Sequence, residues 1–232
     1  MKERLKSLAS LPGIGVFAAI AALIYFLLQL LFSAWVTEDA YITFRVVDNL
    51  VNGFGLRWNP HERVQAYSNP LWLFVHVPFY AIWSNIYLLT ILLSAAFALA
   101  SVAVIARIVD YKPYLIAGAL IILAASKAWR EFAISGLENP LTFFLCSGFL
   151  MIFLTRPISR RSVLWLALCT SLCLVNRMDT MFFFAPLWLY IAATNYKEAR
   201  QYILPCILGA LPLILWLGFS IFYYGFLFPN TK

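Results

Sequence analysis

The sequence predicts an all-α, polytopic membrane protein with about seven transmembrane helices and one sizeable outer loop. Three observations carry this expectation. Hydrophobic residues make up 63% of the 232 and charged residues only 12%, whereas soluble domains run near half and a quarter. The mean hydropathy is +0.85. Apolar runs recur along the chain, each wide enough to cross a hydrocarbon core of ~30 Å.

The runs lie near 14–36, 71–83, 86–106, 113–126, 140–155, 162–176, 181–194 and 202–223. The first follows Lys2, Arg4 and Lys6. It is longer than the roughly 7–15 apolar residues of a cleaved signal peptide, so it reads as a helix that stays. The second decides the parity of the whole chain. If 71–83 crossed alone, the loops carrying Arg156, Arg160, Arg161, Lys197 and Arg200 would fall outside. Read instead as a juxtamembrane or re-entrant piece leading into 86–106, it gathers those residues inside with the N-terminus, Arg107 and Lys112, as the positive-inside rule asks. Pro78 and the Trp83-Ser84-Asn85 break also oppose one straight helix there. The remaining five runs then alternate as spans.

This topology places the N-terminus in the cytoplasm of a cell inner membrane. It collects Glu38, Asp39, Asp48, Glu62, Glu131, Glu138 and Asp179 outside, seven of the ten acids. The loop 37–70 lies on the same face, and residues 1–232 read as a single module. The net charge of +7 comes from small basic groups between apolar runs. It therefore points to a bilayer partner and topology signals, not to nucleic acid. Cys146, Cys169, Cys173 and Cys206 fall inside apolar runs and read as packing residues. Cys169 and Cys173 share a helical face and so could make half a metal site. His61 and His76 are too few to complete a zinc site.

Residues 37–51 read as an amphipathic helix. At 100° per residue, Glu38, Tyr41, Arg45, Asp48, Asn49 and Asn52 share one side. Ile42, Thr43, Val46, Val47 and Leu50 share the other, with Asp39 in their midst. Capping by Thr37 and the helix dipole account for Glu38. They account poorly for Asp39, because a carboxylate on the apolar side needs a compensating partner, metal or substrate. Beyond it, Gly53, Gly55 and Asn59-Pro60 mark turns. Trp58, Tyr67 and Trp72 suit an interfacial belt or sugar stacking. Asn69-Pro70 and Asn139-Pro140 each read as an Asn N-cap followed by Pro at the first helical position.

Several segments resemble the type C (GT-C) membrane glycosyltransferases, in their arabinofuranosyltransferase-like branch. They are Glu38 to Arg45, Asn52-Gly53-Phe54-Gly55-Leu56, Asn59-Pro60-His61-Glu62-Arg63-Val64 and Tyr67-Ser68-Asn69-Pro70-Leu71-Trp72. Ser135 to Leu141, Arg177-Met178-Asp179 and Tyr224 to Thr231 extend the likeness. His61, Gln65, Ala66 and Met178 stand where such sequences favour Gly, Glu, Gly and Pro. The resemblance implies that Asp39 is the catalytic residue, with Glu38 beside it and Glu138 as a second acid. It further implies a C-terminal region beyond these seven spans.

No GxGxxG or phosphate loop is present in the sequence. An outer-face transferase would need none, since its donor would be a lipid-linked sugar such as a polyprenyl-phosphate sugar. The acceptor would be a cell-envelope glycan, a lipid or a protein. Such chemistry needs a base for the acceptor hydroxyl, here Asp39, and a cation for the departing phosphate. Arg177 is the first candidate for that cation, with Arg45, Lys127 and Arg130 behind it. The alternative for Arg177 is an ion pair with Asp179. Tyr67, Asn69 and Asp179 complete the expected substrate-binding set. Asp39 and Glu138 offer oxygen ligands that suit Mg²⁺ or Mn²⁺. A transporter or flippase is the rival reading. Such proteins place ionisable groups near mid-membrane, whereas here the helix centres are almost free of charge.

Overall fold

A computed structural model describes residues 12–229. The basic residues Lys2, Arg4 and Lys6 and the end of the last motif, Asn230-Thr231, lie outside the described residues. Ten α-helices are described: α1 (Pro12–Phe32), α2 (Glu38–Val51), α3 (Pro70–Tyr80), α4 (Ile86–Ile108), α5 (Pro113–Ala125), α6 (Lys127–Phe132), α7 (Asn139–Thr155), α8 (Arg160–Asn176), α9 (Met181–Thr194) and α10 (Ala199–Tyr224). Single 3₁₀ turns at Met178–Thr180 and Tyr196–Glu198 precede α9 and α10, and no strand occurs among the described residues.

Three helical stretches are long and apolar enough to cross a membrane by length and composition: Gly13–Phe32, Ile86–Ile108 and Tyr196–Tyr224. Pro113–Ala125, Asn139–Thr155 and Met178–Thr194 are apolar but shorter. A 17-residue helix rises only ~26 Å, just under the hydrocarbon thickness. The outward faces are apolar: Phe17 is 75% exposed, Phe32 84% and Phe222 87%. Water would penalise such surfaces, while lipid matches them.

Helix α1 packs on α5, α4 on α7, α7 on α8 and α8 on α10, while α2 lies against α3. The α8–α10 contact is close at Gly209. A Cβ there would stand 2.5 Å from Ala167 Cβ and 2.7 Å from the Leu164 carbonyl oxygen. Prolines 205 and 212 remove donors inside α10. The Leu213 amide is carried by the Ser171 hydroxyl at 2.9 Å, which satisfies it without water.

Helix α3 touches α2 at both ends. At its start Asn69 meets Thr43, and at its end the Tyr80 hydroxyl donates to Asp48 Oδ1 at 2.7 Å. His76 is fully buried between the Trp72 carbonyl and the Thr90 hydroxyl, each at 2.8 Å.

The burial of α2 differs from the sequence expectation in two residues. Thr43, Val46 and Val47 are buried as the periodicity predicts, but Asn49 is buried with them and Asp39 is exposed. The cause of the first is the loop 52–69 folding back over the helix. Asn49 Nδ2 donates to the carbonyls of Arg57 and Trp58 at 2.8 and 3.0 Å. The second follows from position. Asp39 lies in the first turn of α2, where Ala40 is the first helical residue to be buried and Glu38 and Asp39 stay exposed.

Candidate functional site

Loop 133–138 brings the first residues of α2 to the start of α7. The Thr37 amide donates to the Ser135 carbonyl at 3.0 Å, so Thr37 anchors the helix through its backbone and not its side chain. Gly136 adopts φ +83°, and a Cβ there would meet Val36 at 3.1 Å and Ala40 at 3.2 Å. Only glycine takes that backbone conformation without strain and leaves the space. The Trp72 indole closes the corner by donating to the Gly136 carbonyl at 3.0 Å.

Two residues further on, Glu138 is buried with 7% of its surface exposed. A carboxylate in such a place needs partners, and it has them. Asn69 Nδ2 donates to Oε2 at 2.8 Å, and Arg177 Nη1 lies 3.4 Å from Oε1. Asn69 in turn accepts from the Thr43 hydroxyl at 3.0 Å. The two asparagines expected as helix caps thus serve otherwise. Asn69 makes no side-chain cap bond. At α7 the cap position is Glu138, and Asn139 is already helical, its Oδ1 accepting from Arg177 Nη1 at 2.9 Å. Both side chains have stronger claimants than a backbone amide, namely a buried carboxylate and a guanidinium.

Arg177 ends α8, where its extended backbone turns the chain into the 3₁₀ segment. It pairs with Asp179 through two bonds, Nε to Oδ1 at 3.0 Å and Nη2 to Oδ2 at 2.6 Å. This contact holds the Asp179 carboxyl below the ordinary carboxylate range and raises Arg177, with Glu138 adding to the latter. Two carboxylates around one guanidinium leave the cluster formally negative by one charge. Asn176, fully buried, donates to the Glu138 carbonyl and the Thr142 hydroxyl at 2.9 Å each.

The cluster forms one end of a cavity of about 230 Å³. Glu138, Arg177 and Asp179 line it with Gln65 and Ser68, while Leu174, Trp216 and Phe228 supply apolar walls. Leu174 also borders a second hollow over α8 and α10 of about 240 Å³. That hollow shares Trp188 and Cys206 with a third, of about 330 Å³, between α9 and α10. The three hollows therefore neighbour one another through shared lining residues on α8, α9 and α10.

The other sequence candidates do not line this cavity. Asp39 and Glu38 are exposed on the first turn of α2, and neither carboxylate has a side-chain partner among the described residues. Arg45 donates to the Trp58 carbonyl at 3.1 Å and stacks over the Trp58 ring at 4.1 Å. Lys127 pairs with Glu131 on its own helix. Arg130 turns to α1, donating to Gln29 Oε1 at 3.0 Å and to the Ala124 carbonyl at 3.2 Å. Tyr67 is buried against α10, its hydroxyl 2.9 Å from that of Tyr224, which donates to the Leu56 carbonyl. Burial pushes the Tyr67 hydroxyl up, so it remains a neutral structural group.

Among the described residues no cluster of three or more His, Cys, Asp or Glu side chains could hold a metal ion. The site also uses residues that the sequence reading did not single out: Thr43, Thr142, Asn176 and Trp216. Asn176 had one legible signal, a polar residue at the end of an apolar run immediately before the arginine.

The chain is similar to a terminal beta-(1→2)-arabinofuranosyltransferase of Mycobacterium tuberculosis, with 26% identity over 233 aligned positions. The similarity covers 85% of this chain and 34% of that protein, so the chain spans about a third of its relative's length. No protein-family profile matches, and no solved structure matches.

Proposed function

We propose that this chain is the membrane-embedded part of a glycosyltransferase that takes its sugar from a polyprenyl-phosphate donor. The acceptor is a hydroxyl group of a cell-envelope glycan, lipid or protein, and arabinofuranose is the sugar that the M. tuberculosis relative's name favours. The observation that carries this reading is the cavity. It holds a buried carboxylate–guanidinium cluster, and its wall residue Leu174 also lines the first of two neighbouring apolar hollows over α8, α9 and α10. That is the chemistry of a molecule with a charged head and a long hydrocarbon tail. In this reading the apolar hollows take the isoprenoid chain, and the charged end takes the phosphate and sugar.

The reaction forms a bond from the acceptor oxygen to the anomeric carbon and breaks the bond from that carbon to the phosphate oxygen. Asp39, whose carboxylate is exposed and unengaged among the described residues, takes the acceptor proton. Polyprenyl phosphate departs as an anion and needs no general acid. Arg177 is the cation that receives it, exchanging its exposed partner Asp179 for phosphate oxygens while Glu138 and Asn139 hold the guanidinium plane. Glu138 is already engaged by Asn69 and Arg177, so it positions the arginine. A divalent ion at Asp39 and Glu138 is not required by these steps.

The reading includes a topology. The contacts of α3 with α2 at both ends support treating 71–83 as a juxtamembrane piece. Seven crossings then put the N-terminus in the cytoplasm and the cavity on the outer side of the inner membrane. The donor class is tested by incubating membranes containing the chain with radiolabelled polyprenyl-phosphate arabinofuranose, and separately with a labelled nucleotide sugar. Label is expected in an envelope acceptor from the lipid-linked donor alone. Transfer from the nucleotide sugar in washed, lipid-donor-free membranes would overturn the reading.

A further inference from the structure

Another hollow, with a volume of about 610 Å³, lies at the other end of the bundle. It sits between the end of α7, the connector to α8 and the second half of α9. Phe153, Ile158, Leu187 and Tyr190 form its walls, and Arg156 stands at its mouth. The volume is in the range of ~300–1,000 Å³ typical of ligand sites.

Three observations say what fits there. The Arg156 guanidinium is exposed and makes no hydrogen bond or ion pair among the described residues. Arg160, Arg161, Lys197 and Arg200 on the same end are likewise exposed and have no carboxylate partner among the described residues. The nearby acid Glu198 is engaged by Gln201 at 2.6 Å and Tyr202 at 2.9 Å. The mouth is thus cationic above apolar walls. In the same half of α9, Leu189 is 71% exposed, so hydrocarbon is the medium beside the hollow.

We propose that this groove binds one anionic phospholipid of the leaflet opposite the Glu138–Arg177 site. The phosphate lies on Arg156, and one acyl chain runs between Ile158 and Leu187. This lipid is separate from the sugar donor, and the proposal stands independently of the glycosyltransferase reading.

The test is native mass spectrometry of the purified chain mixed with equal amounts of dioleoyl phosphatidylglycerol and dioleoyl phosphatidylcholine. One phosphatidylglycerol is expected to be retained preferentially. Arg156→Gln should lower its retention about five-fold, the effect of about 1 kcal/mol for one basic side chain at an anionic headgroup. Arg160→Gln, which removes the same charge outside the groove, should leave retention unchanged. Leu187→Trp, which fills the groove and keeps every charge, should abolish it. Equal retention of the two lipids overturns the proposal, and so does equal loss from Arg156→Gln and Arg160→Gln. A co-purifying polypeptide in place of the lipid also overturns it. Because Arg156 and Arg160 are exposed, their comparison remains decisive even if Leu187→Trp fails to fold.

Discussion

Glu138 is buried yet fully partnered, so its substitutions separate charge from packing. Glu138→Ala strands Asn69 Nδ2 and one edge of Arg177 in a buried place. It should cost about 1–3 kcal/mol of stability, read as a lower midpoint in thermal unfolding in detergent. Glu138→Gln keeps an acceptor for Asn69 and should retain most of that stability. Arg177→Lys has the opposite signature. It keeps the charge but loses the planar fork that meets Asp179 through two bonds. The midpoint should stay near wild type while transfer falls about 10²-fold. The Asp179 carboxyl is depressed below its ordinary value of 3.8 by Arg177. A depressed acid contributes stability above its unfolded pKa and loses it as pH falls through the folded one. The ion pair should therefore persist through pH 5–8 and fail only in acid below the ordinary carboxylate range. Asp179→Asn should flatten that acid limb of a stability-versus-pH curve.

The elements show which parts of this arrangement periodicity can reveal. The amphipathic pattern of 37–51 identifies α2 and its Thr43–Val46–Val47 face. It cannot show that a later loop would fold over Asn49, because that contact joins distant parts of the chain. It also overstates the burial of Asp39, since a helical wheel carries no information about where along its axis packing begins. Arg177 with Asp179 was legible, as neighbours at a helix end. The Asn69–Glu138 contact spans 69 residues and has no local signature. Two glycines make element-scale tests. Gly209→Leu drives a side chain into Leu164 and Ala167 at the α8–α10 crossing. It should cost at least the ~1–3 kcal/mol typical of overpacking, seen as a lower unfolding midpoint. Gly136→Val adds a β-branched side chain at φ +83° against Val36 and Ala40. It should loosen the docking of α2, seen as faster proteolysis within 37–69.

At the scale of the whole molecule, hydropathy made the helical membrane architecture legible, and three helices have the length and composition to span. The shorter helices leave the number of crossings to be measured. In the proposed topology, single cysteines at Asn59 and Ser84, in a chain lacking its four native cysteines, should react with an impermeant thiol reagent from the same side. One at Lys197 should react from the other. Opposite labelling at Asn59 and Ser84 would make 71–83 a crossing and invert every later loop. The central claim is sugar transfer with Asp39 as the base and Arg177 as the cation that receives the phosphate. Its most direct test is the initial rate of transfer from labelled polyprenyl-phosphate sugar in membranes carrying wild type or Asp39→Asn at equal expression. Asp39 makes no contact that the fold requires among the described residues, so the variant should express and unfold like wild type. Transfer should fall by about 10²–10⁴-fold, the usual contribution of a general base. Wild-type transfer by Asp39→Asn would contradict the claim.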